Sequence, residues 1–252
     1  MPILPGNADT VGTALLLAAG AGSRFNAAGE AIPKCLAEVS GAPILARLMD
    51  SLRDNGVTRL VIVTGFMADS IRAFAQMHCD GLQLEFVHNP DYATTNNIYS
   101  LWLAREAVTE PFMLLESDLV FDSELLAGMC TPDRIAVSAL RPWMSGTTVE
   151  VDADGRVAAF HLLADGGTPG PCKTVNIYAL SLHSWRRVTR RLDEYVAAGN
   201  TGCYYEAAFA ELVVEGALDL VAVDFPADRW YEIDTVKDQR EADRVMAAVG
   251  NS

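Results

Sequence analysis

Positive charge is in short supply in this chain. Its 252 residues carry 19 Lys and Arg against 33 Asp and Glu, a formal net charge of −14 at neutral pH. A surface of that sign repels a polynucleotide, so nucleic acid is not an expected partner. Paired cysteine motifs are missing as well. Cys35, Cys79, Cys130, Cys172 and Cys203 are scattered without a Cys-x-x-Cys spacing. That argues against a zinc site or a disulfide frame and favours small buried hydrophobes in a reducing compartment. Cys35, beside Lys34, has a second reading as a reactive thiol, and the buried reading is preferred. Residues 1–13 hold neither a basic segment nor a long apolar core, so the expectation is a cytoplasmic protein with no membrane partner. No repeat or linker divides the chain. With half of its residues apolar, one α/β domain over 1–252 with a full core is expected.

Against these absences stands residues 15–36. Leu15, Leu16, Leu17, Ala18 and Ala19 form an apolar run, broken by Gly20-Ala21-Gly22-Ser23-Arg24-Phe25 and followed by Pro33-Lys34. Glycines let backbone N–H groups converge on an anion, and Arg24 and Lys34 add full positive charge. A Walker A loop would need Gly-Lys-Ser/Thr, and a dinucleotide fingerprint would need a third glycine where Phe25 stands. Neither fits. The stretch resembles instead the Leu-x-Ala-Gly-x-Gly-x-Arg and Pro-Lys signature of the sugar-phosphate and alcohol-phosphate nucleotidyltransferases. The resemblance implies that Leu17, Ala18, Ala19, Gly20, Gly22 and Ser23 wrap a nucleoside triphosphate while Arg24 and Lys34 hold its phosphates as the catalytic cations.

Strands and helices then alternate. Ile44, Leu45, Leu48, Met49 and Leu52 are spaced for a helix ending near Asn55-Gly56, 60–64 reads as a buried strand, 67–77 as a helix, and 82–88 and 112–116 as strands. This order predicts a Rossmann-like, mostly parallel sheet with helices on both faces, of the nucleotide-diphospho-sugar transferase type. Ligands of such sheets sit beyond the carboxyl ends of the strands. Past a strand at 134–140 the alternation stops. Runs at 147–151 and 156–163 flank Asp152-Ala153-Asp154-Gly155, a strong hairpin signal, and Gly166-Gly167-Thr168-Pro169-Gly170-Pro171 reads as a flexible loop. Residues from about 141 to 172 are thus expected to form a small β-hairpin insertion on the acceptor side.

Four further motifs carry chemistry. Thr94-Thr95-Asn96-Asn97 caps a predicted helix. With Ile98-Tyr99-Ser100-Leu101 it resembles the Asn-Asn-x-Tyr-Ser-Leu element of the phosphocholine cytidylyltransferase branch and its phosphonate-using relatives, which implies Asn96 or Asn97 near a pyrimidine base. Glu116-Ser117-Asp118 ends a central strand, where a carboxylate can hold magnesium. The family has Asp-x-Asp or a single Asp there, and Glu116 departs from it, leaving Asp118 as the ligand. Lys173-Thr174-Val175-Asn176-Ile177-Tyr178 places Thr174, Asn176 and Tyr178 on one strand face, and it resembles an element of cytidylyltransferases acting on phosphonates or inositol phosphate. Arg141-Pro142-Trp143 points the same way. Trp230-Tyr231-Glu232-Ile233-Asp234 resembles the segment of this branch in which the aspartate is the second metal ligand, although Asp234 before Thr235 also suits a helix cap.

The resemblance implies an Mg²⁺-dependent cytidylyltransferase that moves CMP from CTP to a small anionic acceptor, first a phosphonate such as phosphonoformate, hydroxyethyl- or aminoethylphosphonate. The expected acceptor residues are Arg141, Trp143, Lys173, Asn176, Tyr178 and Tyr204, with one of Tyr204-Tyr205-Glu206 facing the acceptor, and the metal residues are Asp118 and Asp234. Phosphocholine, a sugar 1-phosphate with another nucleotide, and a non-catalytic nucleotide sensor are the alternatives. Oligomeric state is not legible. Arg186, Arg187, Arg190 and Arg191 read as a solvated helix face rather than a site.

Overall fold

The computed structural model describes residues 10–28, 31–162 and 169–249. The first strand, β1 (Thr13–Ala18), is buried along its whole length, as a strand covered on both faces must be. It pairs in parallel with β2 (Arg59–Thr64), which carries β3 (Gln83–His88), and on its other edge with β4 (Phe112–Glu116). These four strands are the parallel centre of a nine-stranded sheet. The chain then supplies β5 (Arg134–Ala139), β6 (Thr148–Val151), β7 (Val157–His161), β8 (Cys172–Leu180) and β9 (Val221–Asp224). Strand β8 runs antiparallel to β4, β5 and β6, whereas β9 lies parallel to β5.

Helices cover both faces. On one side α1 (Ile44–Asp54) and α2 (Ala68–Met77) bury Leu45, Leu48, Leu52 and Ile71 against Ala14, Leu16 and Ile62. On the other, α3 (Asn97–Leu103), α4 (Leu182–Ala197) and α5 (Glu206–Val214) bury Leu101, Trp185, Val188 and Phe209 against Leu15, Leu17 and Val63. The arginine cluster lies on α4, where Arg191 bridges to Glu194, Glu211 and Glu215 and so ties that helix to α5 and the turn after it.

The expected hairpin forms, with Asp152 Oδ1 accepting from the Asp154 and Arg156 amides and Gly155 at φ +77°. It joins the edge of the main sheet through β6 and β8 rather than standing apart. Of the loop read at 166–171, residues 166–168 lie outside the described residues, as does residue 163 of the second hairpin run.

A two-stranded ribbon was not anticipated. Leu119–Phe121 pairs antiparallel with Trp230–Glu232, and the Ile233 amide donates to the Asp118 carbonyl at 2.9 Å. Helix α6 (Val236–Val249) packs on this ribbon through Ala242 and Met246. The ribbon matters because it brings the end of the chain against the tip of β4.

Candidate active site

A cavity of about 840 Å³ opens at the carboxyl ends of β1 and β4. Its first wall is the glycine-rich loop. Gly22 adopts φ +57°, a conformation natural to glycine, and the Asn26 amide group holds the loop closed by donating to the Ala21 and Ile32 carbonyls while its oxygen accepts from the Ile32 amide. Leu17, Ala19, Gly20, Gly22, Ser23, Arg24 and Lys34 face the cavity. Ala18 does not: it points into the core below the sheet. A Cβ on Gly65, at the end of β2, would stand 2.7 Å from the Ala19 carbonyl oxygen, so the absence of a side chain there lets the β1 end settle against its neighbour.

Lys34 sits between the two expected metal carboxylates, with Nζ 2.8 Å from Asp118 Oδ2 and 3.1 Å from Asp234 Oδ1. Arg24 reaches Asp234 Oδ1 at 2.9 Å. Burial works against the Lys34 ammonium, but the two aspartates outweigh it and hold its pKa above the ordinary lysine range. The Asp118 Oδ1 atom is buried and has no hydrogen-bond partner among the described residues. Asp234 is not needed as a helix cap, because Asp238 Oδ2 accepts from the Asp234 and Thr235 amides and the Thr235 hydroxyl. Two carboxylates held around one cation, with an orphaned oxygen on one of them, fit a hard divalent ion that takes its remaining ligands from water and phosphate.

Asn96 and Asn97 both line the cavity, but their amides are already engaged. Asn96 caps α3 through the Asn97 amide, and its own nitrogen approaches the Gly202 carbonyl at 3.4 Å. Asn97 donates to Glu116 Oε1 at 3.0 Å and accepts from the Tyr205 amide at 3.0 Å, stitching the tip of β4 to the start of α5. Asn89, Tyr92 and Thr95 share this wall, and sequence reading did not single them out as site residues.

On the remaining wall stand Lys173 and Asn176 of β8, Tyr204 and Glu206 at the start of α5, and Glu232 of the ribbon. Lys173 is almost fully buried, yet its ammonium is satisfied by the Thr174 carbonyl at 2.7 Å and Glu232 Oε2 at 3.3 Å. Asn176 has φ +61°, at the irregularity where β8 leaves its register with β5, and this left-handed residue turns the amide toward Glu232, 3.4 Å away. Burial raises the carboxyls of Glu116, Glu206 and Glu232. Neighbouring acids push Glu116 further up, and Glu206 comes to about 7, a backbone hydrogen bond and then Lys173 opposing the rise.

Three expected acceptor residues are corrected. Tyr178 is fully buried between Tyr205 and Phe209, with ring centroids at 5.8 and 5.1 Å, so its phenol belongs to the core. Trp143 stacks on Tyr231 at 4.4 Å, and neither it nor Arg141 is among the residues lining the cavity.

The geometry agrees with comparisons to known proteins. Residues 14–150 match the MobA-like NTP transferase domain family. The chain is 35% identical over 241 residues to the CMP-5′-(3-aminopropyl)phosphonate synthase of Streptomyces rubellomurinus, which covers 91% of this chain but only 38% of that protein. It is 22% identical over 237 residues to the choline-phosphate cytidylyltransferase of Streptococcus pneumoniae, covering 92% and 97% of the two chains. The solved structure of CTP:phosphocholine cytidylyltransferase from Streptococcus pneumoniae superposes with a TM-score of 0.79 at 20% identity, covering 94% of this chain and 99% of that one, which establishes the shared fold.

Proposed function

The chain belongs to the MobA-like NTP transferase family, and on that premise we propose that it transfers CMP from CTP to a small phosphonate, releasing pyrophosphate. One observation carries the reading: a single cavity joins the glycine-rich loop, Lys34 and the Asp118–Asp234 pair to a second wall bearing the buried Lys173. The first wall suits a triphosphate and the second an acceptor anion. The relatives named above, one making a CMP-phosphonate and the other a cytidylyltransferase, support the choice of nucleotide and acceptor.

In this reaction an ionised phosphonate oxygen attacks the α-phosphorus of CTP. The new P–O bond forms as the bond to the β-phosphate oxygen breaks, and the electron pair leaves with pyrophosphate. No proton has to be removed from the nucleophile, so no general base is required, in keeping with a site that holds no histidine among the residues lining the cavity. The task of the protein is to align two anions and to stabilise the charge that develops between them. The loop amides and Arg24 orient the leaving phosphates, and Lys34 stands where charge develops at the α-phosphate. Asp118 and Asp234 are the residues to hold Mg²⁺, which when bound neutralises phosphate charge. Asn97 keeps the β4 tip and the α5 start in register, so that both walls face one volume.

Pyrophosphate release with Mg²⁺, crossing CTP, UTP, ATP and GTP with phosphonates, phosphocholine, inositol phosphate and glucose 1-phosphate, tests the proposal. Turnover centred on CTP with a phosphonate is expected. Turnover with UTP and a sugar phosphate, or with no pair, overturns it.

A further inference from the structure

The wall opposite the glycine-rich loop carries a buried carboxylate, one oxygen of which no donor among the described residues reaches. Glu206 is only 4% exposed, lines the cavity, and its Oε2 has no hydrogen-bond partner among the described residues. Lys173, the buried cation on the same wall, directs its ammonium to Glu232 and the Thr174 carbonyl, and among the described residues no ion pair reaches Glu206. Leaving a buried acid without a partner is costly, so an orphaned carboxylate oxygen on a residue that lines a cavity marks a place for a donor that arrives with the ligand. As the first residue of α5, Glu206 also lies where the helix dipole favours the ionised form. The cavity as a whole agrees: Glu116, Asp118, Glu206, Glu232 and Asp234 line it against Arg24, Lys34 and Lys173. Lys34 and Arg24 already face Asp118 and Asp234, and Lys173 faces Glu232. Acidic groups without a cation partner among the described residues, Glu116 and Glu206, therefore collect on the side away from the glycine loop.

We propose that Glu206 reads a primary ammonium at the far end of the acceptor, which makes the acceptor an aminoalkylphosphonate. The inference rests on the phosphonate reading above and narrows it. A carboxyl or hydroxyl tail offers Glu206 either repulsion or one weak bond, whereas an ammonium gives charge-assisted donors. A quaternary ammonium has no donor to give and is held instead by aromatic faces. Among the described residues only Tyr92 and Tyr204 bring aromatic rings to the cavity wall, since Tyr178 and Tyr205 lie in the core and Trp143 covers Tyr231. Asn97, by accepting from the Tyr205 amide, fixes the turn that aims Glu206.

The test is a pair of matched acceptors on the full chain. The ratio of kcat/KM for 2-aminoethylphosphonate to that for ethylphosphonate is expected to favour the amine in the wild type and to fall roughly 10- to 100-fold in E206Q, the loss of one charge-assisted hydrogen bond. The change should lie in KM. Glu206→Asp, which keeps the charge one methylene further back, should retain part of the ratio. Isothermal titration of 2-aminoethylphosphonate against wild type and E206Q gives a second readout without turnover, and affinity should weaken in the variant. Equal use of both acceptors by the wild type, or an E206Q loss shared equally between them, overturns the assignment while leaving cytidylyl transfer intact. If no acceptor turns over with any nucleotide, the transferase reading fails. Calorimetry then still decides on Glu206: undetectable binding, or the same affinity in E206Q, overturns it.

Discussion

Lys34 is the residue on which the site turns. Its ammonium is shared by Asp118 and Asp234, and among the described residues the one other cation paired with either carboxylate is Arg24 on Asp234. Replacing it with alanine removes the charge that the proposed reaction needs at the α-phosphorus and leaves Asp118 without its ion-pair partner. Lys34→Ala should lower kcat by on the order of 10²–10³-fold in a pyrophosphate-release assay, with the far-ultraviolet circular dichroism spectrum unchanged. Wild-type-like turnover in that variant would remove Lys34 from the chemistry. Its neighbour illustrates the opposite outcome. Cys35 is 1% exposed, and burial pushes its thiol up to about 12, so adjacency to a lysine in sequence does not make it a reactive thiolate. Cys35 should resist a disulfide-exchange reagent at pH 8 in the native protein and react only on unfolding, as labelling followed by peptide mass spectrometry would report.

At the scale of elements, two devices position the site. The first is the ribbon of Leu119–Phe121 and Trp230–Glu232, which carries Asp234 across the chain to Asp118. The second is the close approach of β1 and β2 at their carboxyl ends. Gly65→Ala puts a methyl 2.7 Å from both the Ala19 carbonyl oxygen and Tyr92 Cβ, and the Phe66 amide donates to that same carbonyl. Urea unfolding should show a loss of about 1–3 kcal/mol, and the KM for CTP should rise if the loop that Ala19 begins holds the phosphates as proposed. The strands and helices themselves were largely legible, since β1, β2, β4 and the helices carry periodic apolar patterns that burial enforces. The ribbon was not legible, because its pairing joins residues more than a hundred positions apart. What the structure gathers at the candidate cavity was readable where a motif carries it, as in the glycine loop, Lys34 and the two aspartates, which fold together there. Alternation along β8 puts Thr174, Asn176 and Tyr178 on one side but cannot report depth, and Tyr178, expected at the acceptor, lies in the core. Arg141 and Trp143 follow a strand end whose direction is set by tertiary packing. Glu116 and Glu232 stood in recognised motifs as departures or bystanders, and only their burial beside Lys173 marks them as part of the site.

For the molecule as a whole, the strong negative charge and the proposed anionic substrates have to be reconciled. A chain of net charge −14 does not attract CTP by its overall field, and five carboxylates line the cavity beside only three cations. Positive charge therefore has to come with the reactants, and in the proposed reaction a divalent cation brings it with the triphosphate and an ammonium with the acceptor. Among the described residues no group of three or more His, Cys, Asp or Glu side chains forms a ready-made metal cage, in keeping with an ion that keeps water and phosphate ligands. No helix among them is long and apolar enough to cross a membrane. The most direct measurement is the phosphorus spectrum of a reaction containing the protein, CTP, Mg²⁺ and 2-aminoethylphosphonate. Two mutually coupled resonances, one phosphonate and one phosphate, growing together with pyrophosphate would establish the phosphonate–phosphate anhydride that the account predicts. Inorganic pyrophosphate with free CMP and unchanged phosphonate, or product formed from UTP in preference to CTP, would contradict it.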